Sequence, residues 1–121
     1  MRGLIVREPY ATLIVRGEKI WEIRKRRTNV RGEIFIISNG RILGKVRLVD
    51  VLGPFTAEEL VKHSDKHKVS YEELKNYAGD CKLFAWVLED AEMFDRPIEV
   101  KVPKGAQVWV KLEERFFIGD A

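Results

Sequence analysis

Residues Gly17–Arg24 read Gly-Glu-Lys-Ile-Trp-Glu-Ile-Arg, directly after Pro9-Tyr-Ala-Thr-Leu-Ile-Val-Arg16. The earlier half predicts a short amphipathic helix over Tyr10–Arg16. Pro9 is suited to its first turn, Ala11, Leu13, Ile14 and Val15 supply its apolar content, and Gly17 ends it. A strand is predicted at once from Ile20 to Lys25. It carries Glu22 and Arg24, which alternation places on one face, and Lys19 stands just before it. An ion pair on a solvated face would account for these charges, and Lys19 could be an ordinary cation at a helix C-terminus. Against that stands the spacing: three complementary charges fall within six residues at a helix-to-strand junction. Lys25, Arg26, Arg27 and Arg31 follow directly.

Outward from this junction the chain alternates. Leu4–Val6 precedes it as a first strand. Glu33–Ser38 and Ile42–Leu52 read as strands joined at Asn39-Gly40, a hairpin signal. Gly44 marks a bulge or the close approach of another backbone, and Gly53-Pro54 is expected to stop the long strand. Thr56-Ala-Glu-Glu59 and Ser70-Tyr-Glu-Glu73 are capping-box patterns, predicting helices over 57–63 and 71–77 joined by polar Ser64–Lys68. Strands at Leu83–Leu88, Arg96–Val102 and Gln107–Leu112 complete an α+β chain. Trp21, Trp86 and Trp109 are expected in the core.

The order Pro9-Tyr10-Ala11-Thr12, then Gly17, Lys19, Glu22 and Arg24, then Gly32–Ile37, Ile42–Val51, Phe84–Leu88 and Val108–Leu112 resembles the ASCH (activating signal cointegrator homology) domain of the PUA-like superfamily. The resemblance covers nearly the whole chain. It implies a small β-barrel of mixed, mostly antiparallel strands, with the first helix beside a cleft and short helices in a mid-chain insert. Lys19, Glu22 and Arg24 would point into that cleft, with Tyr10 at its rim as an aromatic on which a base could stack.

At 121 residues and 45% hydrophobic content, one domain over 1–121 is expected. No apolar run is long enough to span a bilayer, and the apolar part of the N-terminus is short for a signal peptide. Cys81 is the single cysteine, so no internal disulfide can form. A cytoplasmic monomer without a cofactor is the expectation. Charged residues reach 34%, with three Asn and one Gln, a balance that suggests a thermophilic source. Residues 1–47 hold 12 Lys+Arg against 4 Asp+Glu, or +8, whereas 48–121 hold 10 against 15, or −5. Unless the halves intermix in space, the basic half suits a polyanionic partner.

RNA, or a nucleotide-like ligand, is therefore the expected partner. The binding candidates are Tyr10, Lys19, Glu22, Arg24, Lys25, Arg26, Arg27 and Arg31, with the cations on phosphates. Some ASCH-family members resemble amidohydrolases of acetylated cytidine that use the signature Lys, a Thr three residues on and a Glu in the insert. In this chain Glu22 stands at the Thr position and His67 at the Glu position, so Lys19, Glu22 and His67 are the catalytic candidates and binding is preferred to catalysis. A protein-interaction module is a third possibility. His63 and His67 lie four apart, yet with no third ligand nearby solvated surface histidines are expected rather than a metal site.

Overall fold

The long hairpin Arg41–Phe55 with Leu83–Glu99 is the spine of the molecule. We describe residues 1–113 in a computed structural model; the last eight positions of the expected 1–121 domain lie outside them. The strands are β1 (Arg2–Ile5), β2 (Trp21–Arg24), β3 (Gly32–Ser38), β4 (Arg41–Phe55), β5 (Leu83–Glu99) and β6 (Trp109–Lys111). They form one sheet in the order β2-β5-β4-β3-β1-β6. Only β1 with β3 is parallel among the described ladders. The class is thus α+β with a mixed, mostly antiparallel sheet, as expected. The closed β-barrel that the resemblance implied is not formed: the sheet is open, because no ladder joins β2 to β6 among the described residues. What spans the gap is a side chain: Arg24 Nη2 on β2 donates to the Ile5 carbonyl at the end of β1, at 2.9 Å.

Apart from shifts of one or two residues at strand ends, three features differ from the pattern reading. First, β4 continues through Gly53-Pro54 to Phe55, where Phe55 still registers with Leu83. Second, β5 is one strand of 17 residues where two were expected, at 83–88 and 96–102. The stretch Glu89–Asp95 pairs with β4 as a ribbon beyond β2 and is exposed except at Phe94, which packs edge-on against Phe35, so burial of one residue imposes no alternation on it. Register shifts along β4/β5 bend the ribbon. Gly44 sits at one of them: a Cβ there would collide with the Glu92 carbonyl oxygen, the close approach that its place in the strand suggested. Third, the insert holds four short turns of helix: α2 (Ala57–Leu60), a 3₁₀ turn (Val61–His63), α3 (Ser64–His67) and α4 (Tyr71–Ala78). Both capping positions hold. Thr56 and Glu59 exchange side-chain-to-backbone bonds at 3.1 and 2.8 Å, and Ser70 accepts from the Glu73 amide at 3.2 Å.

Two apolar clusters position the cleft. Helix α1 (Tyr10–Val15) buries Tyr10, Ala11, Ile14 and Val15 against Leu4, Ile36, Val46, Leu48 and Trp86. The insert buries Leu60, Leu74 and Ala78 against Trp21, Ile23 and Leu83. Trp21 stacks on Phe55 and Trp86 is 2% exposed, so both are core residues. Trp109 is only half-buried, with its ring stacked on Trp86 at 5.8 Å. No helix among the described residues is long and apolar enough to cross a membrane.

Candidate functional site

Between α1, β2 and α4 lies a cleft of about 300 Å³. Its construction starts at the end of α1. Gly17 takes φ +79°, and the chain closes a Schellman turn: Gly17 N–H donates to the Ile14 carbonyl and Glu18 N–H to that of Leu13, at 3.0 and 2.9 Å. This turn throws Lys19 inward. The next residue is pinned from both sides, since Ile20 N–H donates to Lys66 and the Ile20 carbonyl accepts from Leu88. Lys19 is consequently 1% exposed. Its Nζ donates to the His67 carbonyl at 2.5 Å, sits 3.6 Å from Glu22 Oε1, and lies 4.8 Å from the centre of the Tyr10 ring.

Glu22 is 7% exposed and links two cations. Its Oε1 faces Lys19, and its Oε2 accepts from both Nε and Nη2 of Arg24, each at 2.8 Å. The three signature charges thus form one connected chain at the floor of the cleft. A buried ion chain of this kind adds little net stability, because the desolvation of each ion offsets most of the attraction. For Lys19 desolvation wins: burial pulls its ammonium down to about 8 against the opposing pull of Glu22, and Arg24 and Arg7 push the same way as burial.

The opposite wall is Glu73, on the first turn of α4. Its Oε2 accepts from the Tyr10 hydroxyl and from Arg7 Nη2, both at 2.7 Å. The two donors hold the Glu73 carboxyl below its ordinary range, while burial and Glu73 together raise the Tyr10 hydroxyl to about 12. Tyr10 therefore stands in the wall rather than at the rim. Its hydroxyl is bonded, and Lys19 and Arg7 lie over its ring at 4.8 and 5.0 Å. The exposed aromatic of the cleft is Tyr77, 42% exposed, with Lys25 Nζ 4.8 Å from its ring centre.

The structure brings Tyr10, Lys19, Glu22 and Arg24 together and places Lys25 beside Tyr77. The other basic candidates run away from this mouth. Arg27 reaches the Gly53 carbonyl and the Phe84 ring, Arg31 bonds the carbonyls of Thr28 and Val30, and Arg26 is exposed. The two oppositely charged halves do interleave along the ribbon, where Arg47 meets Asp90 and Lys45 meets Glu92. The segment Lys25–Arg31 makes no ion pair to a described acid.

His67 corrects the expectation of a solvated histidine: it is fully buried. Val69 N–H donates to its Nδ1 at 2.9 Å, so Nε2 carries the proton and donates to the Leu60 carbonyl at 2.6 Å. Burial lowers its pKa, consistent with this neutral ring. Its ring faces the insert, and only its carbonyl serves the site, through Lys19. Reading the residues in order missed Glu73 and Tyr77. The available signal was their spacing on α4: Glu73 and Tyr77 fall at i and i+4, one helical stripe, and both line the cleft. Among the described residues no cluster of His, Cys, Asp and Glu could hold a metal.

Comparison with known proteins agrees with this architecture. The ASCH protein of Zymomonas mobilis has a solved structure that matches at TM-score 0.77 and 19% identity, covering 94% of this chain and 88% of that one. Two single-residue mutants of the same protein match at TM-scores 0.76 and 0.77, with 20% and 19% identity. They cover 93% of this chain in each case, and 88% and 90% of theirs. At such identity the likeness speaks for the fold. No curated protein matches the sequence. The family model for the ASCH domain matches residues 4–98, from β1 through most of β5, and the chain belongs to the ASCH domain family.

Proposed function

We propose that this protein binds RNA, or a nucleotide-like ligand, in the cleft between α1, β2 and α4. The observation that carries the reading is the buried chain Lys19–Glu22–Arg24 at the floor of a concave site whose mouth holds Tyr77 and Lys25. Buried, perturbed charges lining a cleft cluster at functional sites. A cleft of about 300 Å³ is at the small end for ligand sites and suits one nucleotide. Tyr77 offers a plane for a base, and Lys25, Arg26, Arg27 and Arg31 form a track for the neighbouring phosphates. We place the protein in the cytoplasm as a single-domain monomer acting in RNA metabolism; its lone cysteine suits a reducing compartment. Lys19→Ala should lose RNA affinity in a polarisation titration while keeping its far-UV spectrum. Unaltered affinity in the folded variant would refute the reading.

One observation favours a second reading, hydrolysis of an acylated nucleoside. The Lys19 amine, lowered to about 8, is partly neutral at mildly alkaline pH, and Glu73 supplies an insert carboxylate where His67 had been expected to stand. An amine and a carboxylate lining one cleft suit proton transfer to and from a bound substrate. Release of acetate from acetylated cytidine by the wild type and not by Lys19→Ala would place this reading first. Binding is preferred because Glu22 stands where a hydroxyl is expected and holds Lys19 in an ion pair.

A further inference from the structure

Glu73 has an asymmetric set of partners. Both of its side-chain donors, Tyr10 Oη and Arg7 Nη2, bond the same oxygen, Oε2. The other oxygen, Oε1, accepts from no described residue, and the side chain is 47% exposed on the wall of the cleft. The position of this carboxylate is fixed three ways. Its backbone amide is capped by Ser70, Tyr10 anchors it to α1, and Arg7 anchors it to the segment after β1. The other carboxylate of the cleft is committed inward, since Oε1 of Glu22 faces Lys19 and Oε2 holds Arg24. The cleft therefore presents one oriented, unspent anionic acceptor beside an exposed aromatic, Tyr77.

We infer that the cleft selects an unpaired nucleotide whose base carries an exocyclic amino group, with the amine donating to Glu73 Oε1 and the base resting by Tyr77. This rests on the proposal that the cleft is the RNA site. A carboxylate accepts from the N4 amine of cytosine or the N6 amine of adenine. Uracil presents a carbonyl at the corresponding position, and two facing acceptors repel, so the same contact that favours cytosine rejects uracil. Gln107, also on the cleft, has an amide that can meet the ring nitrogen or carbonyl beside the amine. Tyr10 and Arg7 are positioning residues in this scheme: they aim Glu73 and do not themselves meet the base.

The test uses the full chain and labelled ribo-oligonucleotides five bases long. Oligo-C and oligo-A should bind about tenfold tighter than oligo-U, the discrimination expected of one hydrogen bond to a charged acceptor. Oligo-C methylated twice at each N4 keeps the ring but loses the donor, and should bind as weakly as oligo-U. Glu73→Gln, which preserves shape, should narrow the C-over-U preference. Equal binding of oligo-C, its dimethylated form and oligo-U, with all three weakened by Lys19→Ala, would overturn amine selection and leave the cleft as the RNA site. A preference untouched by Glu73→Gln would likewise overturn it. Binding indifferent to Lys19→Ala would sink the site and this inference together.

Discussion

Lys19 should make the protein more stable as the solution becomes alkaline. In the unfolded chain its ammonium titrates at its ordinary 10.5; in the fold it titrates at about 8. Between those values the unfolded state holds more protons than the native one, so stability rises with pH across the window. From pH 7 to pH 10 the gain integrates to about 2–3 kcal/mol. That is a large fraction of the total stability of a small domain. In urea it corresponds to a midpoint shift of about 1 M or more, given slopes of 1–3 kcal/mol per molar. The control is Lys19→Met, which keeps the stem and removes the titrating amine. Subtracting its profile from that of the wild type cancels groups common to both. Tyr10 runs in the opposite sense: its hydroxyl, raised to about 12, withdraws stability above pH 10, so the comparison should stop there. Parallel profiles for wild type and Lys19→Met between pH 7 and 10 would mean that burial does not destabilise the ammonium. The argument that the cleft floor holds a strained charge would then fail.

Other outcomes follow from the same geometry. Reversing Arg26 and Arg27 to Glu should weaken RNA binding and flatten its dependence on salt by about one unit of slope per lost phosphate contact, read by titrations at several ionic strengths; an unchanged slope removes this stretch from the interface. Trp86→Ala should cost about 3–5 kcal/mol in urea unfolding, because the ring is buried and its Nε1 donates to the Arg26 carbonyl at 2.9 Å. Trp109→Ala should cost less, its ring being only partly buried, and equal losses would contradict that ranking. Acid should destabilise the insert through His67: its folded pKa is depressed, so stability is lost as pH falls through and below the ordinary 6.5. Hydrogen exchange of the Val69 amide, bonded to Nδ1, should quicken on acidification ahead of the amides of β3 once the intrinsic pH effect is removed. Synchronous change would assign the effect to global unfolding.

The sequence by itself determined those features whose cause lies within a few residues. Gly17 ends α1 because Ile14 and Leu13 supply the carbonyls of a Schellman turn, all within one helical turn of it. Thr56 and Ser70 cap their helices through residues three positions on. Asn39 and Gly40 close the β3/β4 hairpin, and the spacing of Lys19, Glu22 and Arg24 puts their charges within reach of one another. Tertiary structure alone decided the contacts that the path of the chain creates. Lys19 finds the His67 carbonyl 48 residues away, and Tyr10 finds Glu73 at a separation of 63. Neither partner carries a mark in its own neighbourhood, since Glu73 reads as a capping-box residue and His67 as part of a polar connector. The continuity of β5 was hidden for a related reason. Alternation records burial, and between Glu89 and Glu99 only Phe94 of β5 is partly covered, so this half of the strand is written mainly in the backbone pairing with β4. Burial itself was the last unknown: a lysine and a histidine enter the interior only because carbonyls and a carboxylate from separate elements converge to receive their protons.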